Sequence, residues 1–194
     1  MGVFDERLYI MDWYRLKHSV AMTLIYDTQK RADYIKSHNL FYHMGNNCMV
    51  MFRKLPLYSK LISFQDNVWI ASNVTFITHD VIHRMLNNKF NTKRFTENIG
   101  CIDIRENVFI GANTIILPNV KIGPNTIVGA GSLVNKDLSE GVYAGIPCRY
   151  ICGLEEFISK KRKIVIEFEK NRLSEKTIEE CWERFKNMKN YEKK

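Results

Sequence analysis

The sequence predicts a mainly β chain wound as a parallel solenoid with three flat faces, flanked by helical ends. Three observations carry this. From Ile102 the chain falls into six-residue steps, IDIREN, VFIGAN, TIILPN, VKIGPN, TIVGAG and SLVNKD. The third position of each step is β-branched and aliphatic, namely Ile104, Ile110, Ile116, Ile122, Val128 and Val134. The last position is Asn107, Asn113, Asn119, Asn125, Gly131 or Asp137, residue types that reach positive φ cheaply. A 3.6-residue helix drifts off such a register within two steps. A hairpin meander needs longer two-residue alternation and hairpin turn signals. A coil in which each step supplies one face and one corner satisfies both patterns. Its inward third positions then stack at about 4.8 Å, the spacing of paired strands. Such a coil buries its inner face only against neighbouring coils.

Taken in chain order, residues 1–43 read as a helical segment. Val20, Leu24, Ile25 and Ile35 have partial helical spacing, and Asn39 is the expected stop. Residues 44–152 form the repeat domain. A weak version of the register begins near Met44, and ISFQDN, VWIASN and VTFITH place Phe64, Ile70 and Phe76 inward. His79 then takes the corner slot that Asn67 and Asn73 fill, at a position expected to project outward and suited to positive φ. Residues 80–101 interrupt the repeat with a polar stretch of no period, a kind of long loop that is usually functional. At Ser139-Glu140-Gly141 the register breaks again, with Glu140 at an inward position, so the coil is expected to end there. Tyr143 to Pro147 reads as an extended exit strand with a turn. Residues 153–194 read as two basic amphipathic helices, about Leu154 to Lys170 and Ser174 to Met188. Ser174 is the expected N-cap of the second. Phe157, Ile164, Ile178, Trp182 and Phe185 are the expected buried faces.

Composition narrows the function classes. The chain has 45% hydrophobic and 26% charged residues, as a globular protein does. Its apolar runs are too short to span a bilayer, and Met1 to Arg7 lacks the basic and apolar regions of a signal peptide. A cytoplasmic location without membrane insertion is the expectation. Five scattered cysteines argue against a disulfide framework, and Cys148 and Cys152 do not form a usual zinc pair. The net charge of +8 fits nucleic acid, a solvated helical face or a polyanionic small molecule; the repeat favours the small molecule over nucleic acid.

The motifs resemble those of the hexapeptide-repeat acyltransferases. Within these they resemble the branch of maltose, galactoside and capsule O-acetyltransferases and of the xenobiotic acetyltransferases. The resemblance is carried by Asp66 to Ile70, Asn73 to Thr75, Thr78-His79-Asp80, Glu106 to Ala112, Ile115 to Pro118, Val128 to Ser132, Lys136-Asp137 and Ala144 to Arg149. It covers about residues 44–152, in the family's order. It implies a left-handed parallel β-helix and a homotrimer with acetyl-CoA bound in grooves between neighbours. It also implies acetyl transfer to a small-molecule or glycan acceptor, with His79 as general base and no metal. A base near neutral pKa suits proton removal from an acceptor hydroxyl or amine. The resemblance further implies cofactor contacts at Gly111, Ala112, Ala130, Asn135, Lys136 and Arg149, and acceptor contacts at His83 and Phe109. Relatives often carry a second basic residue where this chain has Cys152, which shifts phosphate recognition toward Lys160, Lys161 or Arg162. The stretch Asn46 to Lys60 does not match the family pattern, so the sequence names no acceptor.

The leading expectation is O-acetylation of a sugar or surface-glycan hydroxyl. The alternative is a xenobiotic or amino-sugar acceptor on the same fold. A zinc lyase on this fold needs three His ligands from adjacent coils, and only His79 and His83 lie near the repeat. A non-catalytic scaffold remains a further alternative.

Overall fold

The computed structural model describes residues 13–160, 168–169 and 172–191. The chain divides between Phe157 and Ile158 into two compact units.

In the first unit, α1 (Trp13–Leu24) and α2 (Thr28–Ser37) precede the repeat. Asp27 caps α2, its carboxylate accepting from Gln29 N at 2.8 Å and Lys30 N at 2.9 Å. Asn39, at φ 49°, ends the helical region as expected. The buried face differs from the expected one. His18, Met22 and Ile35 are buried, whereas Val20 and Leu24 are exposed. The chain turns between Leu24 and Thr28, which breaks the single-helix phase on which the expectation rested.

The repeat strands are β1 (His43–Met44), β2 (Met49–Val50), β3 (Ile62–Phe64), β4 (Val68–Ile70), β5 (Thr75–Phe76), β6 (His79–Asp80), β7 (Asn98–Ile99), β8 (Ile102–Ile104), β9 (Val108–Ile110), β10 (Ile115–Ile116), β11 (Val120–Ile122), β12 (Thr126–Val128) and β13 (Leu133–Val134). They are followed by β14 (Gly141–Ala144) and β15 (Arg149–Cys152). They form three parallel sheets, β1-β3-β8-β11, β2-β4-β9-β12-β14 and β5-β10-β13, with β15 antiparallel on the end of the second. Apart from the separate β6–β7 pair, consecutive strands from β3 to β13 visit the three sheets in rotation. Stacked partners such as Ile102 and Val120 lie 18 residues apart. Across the insertion, Ile62 pairs with Ile102 and Phe64 with Ile104, 40 residues apart. The extra 22 are residues 80–101, so the insertion leaves the stack undisturbed.

Phe64, Ile70, Ile104, Ile110, Ile116, Ile122, Val128 and Val134 are completely buried, each worth about 1.5–3 kcal/mol on removal from water. The first position of each step also points inward, because three-residue strands alternate in, out, in. Ile62, Val68, Ile102 and Val108 occupy it, as do Thr114, Thr126 and Ser132. The buried hydroxyls are satisfied. Thr114 and Ser132 both donate to Gly129 O, at 3.3 and 2.6 Å, and Thr126 donates to Ser139 O at 3.0 Å.

Asn67, Asn73, Asn107, Asn113, Asn119 and Asn125 all have φ between 53° and 60°. Along the edge after the first sheet their amides form a ladder. Asn67 donates to Asn107 at 2.9 Å, Asn107 to Asn125 at 3.1 Å, and Asn125 to Glu140 at 3.2 Å. Glu140 therefore does not face inward. It is exposed and ends the ladder, because the last coil is shorter: Ile122 bridges Leu138, and Val128 pairs with Tyr143.

Rung stacking also explains one glycine. A Cβ on Gly111 would stand 2.4 Å from Ala130 N and 2.8 Å from Gly129 C, both backbone atoms of the next rung. Gly111→Ala is expected to lose about 1–3 kcal/mol in urea unfolding, the usual penalty of overpacking, whether or not a ligand is present.

At the start of the stack, β5 has no strand on its outer side. Met51 to Leu57 covers it instead, with Phe52 packing on Phe76 at 5.5 Å between ring centroids. Pro56 has no N–H to offer a ladder. The segment bonds to α1, Leu55 N donating to the Ser19 hydroxyl at 3.0 Å and Arg15 Nε to Leu55 O at 2.7 Å.

The insertion is not structureless. It carries α3 (Ile82–Lys89), and β6 pairs antiparallel with β7. In the other direction, the helix expected from Leu154 to Lys170 is α4 over Leu154–Lys160; residues 161–167 lie outside the described residues, and Phe168 and Glu169 are in a strand. The second unit holds a strand pair, β16 (Phe168–Glu169) with β17 (Arg172–Leu173), and α5 (Glu175–Tyr191). Ser174 caps α5 as expected, its hydroxyl accepting from Thr177 N at 3.2 Å. Ile178, Trp182 and Phe185 are exposed, not buried. They line one side of α5 by spacing, but that spacing fixes a face and not what covers it. Phe157 is half-buried, and Ile164 lies outside the described residues. All five cysteines are free. No helix among the described residues is long and apolar enough to cross a membrane.

Candidate active site

His79 stands where the chain leaves the third sheet for the insertion. Thr78 is buried and donates its hydroxyl to Leu57 O at 2.8 Å, while Gly100 N donates to Thr78 O at 2.8 Å. These contacts join the two stems of the insertion to each other and to the segment that covers β5. His79 pairs with Ile99 as a strand residue and is not among the positive-φ residues. The expected corner conformation is therefore absent. An antiparallel pair with Asn98-Ile99 requires extended backbone, and the insertion supplies that partner.

The His79 ring is half-buried and meets Tyr58 edge-on, with centroids 5.1 Å apart. Its Nδ1 is buried without a hydrogen-bond partner among the described residues, and so is Nδ1 of His83 on α3. Tyr58 donates its hydroxyl to both Glu97 oxygens, at 3.1 and 3.2 Å. Burial, and then the Glu97 carboxylate, push that hydroxyl above the ordinary tyrosine value. Asp80 follows His79 in the chain but spends both oxygens on the insertion, accepting from Ile82 N at 3.0 Å and Asn98 Nδ2 at 2.9 Å.

The Asn98 amide, followed by the Ile82 N–H, holds the Asp80 carboxyl below the ordinary aspartate value. A carboxyl lowered in the folded state adds stability above its unfolded pKa, about 4, and loses it as pH falls through the folded value. The insertion stem is expected to keep its amide protection above about pH 4 and lose it below, ahead of the rungs. Hydrogen exchange at acid pH reads this directly, and Asp80→Asn should flatten the pH dependence.

A groove of about 730 Å³ opens beside β5. Its walls are α1, through Arg15 and Thr23, the segment Met51 to Leu57, and the run Ser72 to Phe76, with His79 also in the lining. Of the sequence-predicted site residues, only His79 lines it. Asn135 and Lys136 are exposed on the same edge as His79, after the third sheet and two rungs further on. Gly111, Ala112 and Ala130 lie on the edge after the second sheet. Arg149 is exposed on β15. Phe109 stands on the outer face of the second sheet beside Trp69, each 40% exposed. His83 is on α3, within the insertion. The residues of interest thus flank the third sheet on two edges, with Phe109 on another face.

Sequence reasoning missed the groove walls. Arg15 is far along the chain from Arg53 and Lys54, and none of the three holds a place in the six-residue register. The one available signal was the Arg53-Lys54 pair within the stretch where the register fails. Lys160 is exposed, and Lys161 and Arg162 lie outside the described residues. Among the described residues no group of three or more His, Cys, Asp or Glu is placed to hold a metal ion.

Comparison with known proteins points one way. The family model for bacterial transferase hexapeptide, six repeats, matches residues 102–136. The chain is 38% identical over 111 residues to a galactoside O-acetyltransferase of Escherichia coli (strain K12), covering 56% of this chain and 52% of that protein. The chain spans about half the length of the curated relatives it matches. A solved structure of a maltose O-acetyltransferase from Clostridium difficile 630 aligns with a TM-score of 0.55 and 29% identity, covering 77% of this chain and 89% of that one. A galactoside acetyltransferase in complex with coenzyme A aligns with a TM-score of 0.55 and 26% identity, covering 90% and 92%.

Proposed function

We propose that the chain is a hexapeptide-repeat transferase and, within that family, an acetyl-CoA-dependent O-acetyltransferase acting on a hydroxyl of a sugar or surface glycan, a reading supported by the family model over residues 102–136 and by the acetyltransferase relatives. The observation that carries this reading is the imidazole of His79, half-buried in the lining of a sugar-sized groove. We take residues 44–152 as the catalytic domain and its winding as a left-handed parallel β-helix, the fold of the family.

Acetyl-CoA supplies the acetyl group as a thioester. The edge after the second sheet suits its pantetheine arm, because Gly111, Ala112, Gly129, Ala130 and Gly131 present nothing larger than a methyl group. Lys136 and Arg149 are exposed cations suited to its phosphates, and Asn135 adds a donor beside Lys136. In this mechanism His79 takes the proton of the acceptor hydroxyl as its oxygen attacks the thioester carbonyl. A backbone N–H of the groove edge steadies the oxyanion. His79 then returns the proton to the departing sulfur as the C–S bond breaks, so no acyl-enzyme forms. His83 and Phe109 are assigned to the acceptor side.

The donor-side residues lie on two edges of one stack, which is the arrangement expected when neighbouring copies complete each groove. We propose a homotrimer in the cytoplasm, with the outward Trp69 and Phe109 turned toward a neighbour. The test is acetyl transfer from labelled acetyl-CoA across a panel of sugars, amino sugars and hydroxylated xenobiotics. Transfer to sugar hydroxyls supports the reading. Transfer confined to amines or xenobiotics replaces its acceptor, and no transfer to any of them refutes it.

A further inference from the structure

We infer that the acceptor carries a negative charge, a carboxylate or a phosphate, seated on Arg15, Arg53 and Lys54 in the groove beside His79; this rests on the acetyltransferase reading. The groove lining contains these three cations and no Asp or Glu. Among the described residues none of the three forms an ion pair with a carboxylate. Arg15 is half-buried and spends only Nε, on Leu55 O at 2.7 Å, which leaves both terminal nitrogens unspent. Arg53 spends Nη1 on Thr23 O at 2.5 Å and keeps its remaining N–H groups. Those bonds to neutral carbonyls aim the guanidinium groups without cancelling their charge. Lys54 is exposed and has no bonded partner among the described residues. The nearest carboxylates described around His79 are already engaged, Glu97 by Tyr58 and Asp80 by Asn98 and Ile82.

Three unneutralised cations in one concavity repel one another and raise the local concentration of anions. Two half-committed guanidinium groups and a lysine also offer the charge-assisted donors that a carboxylate or phosphate prefers. The polar floor completes the arrangement. Ser72 and Asn73 line the same groove and can meet neutral hydroxyls, while His79 marks the reacting end. The donor does not compete for these cations in this assignment. Lys136 and Arg149 belong to later rungs, and neither lines the groove.

The experiment measures binding and turnover separately, on the full chain. D-galactose, D-galacturonate and D-galactose 6-phosphate are titrated by saturation-transfer NMR and calorimetry, each also offered as acceptor with labelled acetyl-CoA. One or both anionic probes should bind at least about tenfold more tightly than galactose, with an advantage that shrinks as salt rises. Which of the two binds better separates carboxylate from phosphate. Arg53→Gln with Lys54→Gln should remove the advantage of the anions over galactose while leaving acetyl-CoA affinity unchanged. Galactose binding as tightly as both anions overturns the inference, as does failure of both anions to bind. It is also overturned if the double variant weakens acetyl-CoA instead, since the cations would then serve the donor. If the anions bind selectively but no probe is acetylated while acetyl-CoA is present, the charged site stands and the acetyltransferase reading falls.

Discussion

His79→Ala is expected to lower acetyl transfer by about 10² to 10⁴ while leaving assembly and acetyl-CoA affinity unchanged. That range is the usual worth of a positioned general base. The structure keeps the structural part of the loss small. Nδ1 has no partner to orphan, and the ring's described aromatic contact is one edge-on meeting with Tyr58. Such a pair is worth about 0.5–1.5 kcal/mol, too little to unfold the stack. The insertion stays anchored without the imidazole, through Thr78 to Leu57 and Asp80 to Asn98. His79→Asn keeps a polar side chain at the position and should lose the same activity. Turnover within tenfold of the parent, with the same product, would sink the assignment. A parallel fall in melting temperature and donor binding would make His79 a structural residue instead.

How far the sequence could be read depended on whether a feature repeats. Ile104, Ile110, Ile116 and Ile122 were legible because each rung imposes the same inward position. The asparagine corners were legible because the same positive φ recurs at every turn. The inward first position was obscured where Thr114, Thr126 and Ser132 fill it, since their burial depends on carbonyls that only the stacked coil supplies. His79 was found by its place in the register, yet its backbone was misassigned, because its partner Ile99 sits across the insertion. Glu140 looked inward by count, and the shortened last coil turns it into the end of an amide ladder. The helical ends and the groove cations follow no period. Arg15 and Arg53 meet only through the docking of α1 onto the first coil, which depends on a residue the sequence did not single out.

That residue is Arg31, and Arg31→Met is expected to destabilise the first unit by about 3–5 kcal/mol. The residue is 1% exposed, and its guanidinium donates to four backbone carbonyls from three segments. Nε reaches Met22 O at 2.8 Å, Nη1 reaches Val50 O at 2.6 Å, and Nη2 reaches Ile25 O at 2.5 Å and Tyr26 O at 3.5 Å. The end of α1, the α1–α2 turn and β2 are thereby joined through one side chain. Burial, and then Arg53, push its pKa below the ordinary arginine value, with Asp27 acting against them. The carbonyl oxygens around it still favour the charged form. Hydrogen bonds to a charged group contribute about 1.5–3 kcal/mol each, and the bonds are not additive. Met fills much of the volume but leaves the carbonyls without donors. Lys reaches them as a single point charge and should recover only part of the loss. A loss of this size lowers Tm by roughly 10 °C for a chain of this length, whereas Lys30→Met, on the exposed face of α2, should stay within about 0.5 kcal/mol. The functional consequence follows from what α1 carries. Arg15 and Thr23 form one wall of the groove, and Arg53 is bonded to Thr23 O. Below its melting temperature Arg31→Met should therefore raise the acceptor KM more than the acetyl-CoA KM. Equal changes in both, or unchanged stability, would show that the first coil holds its helices by other means.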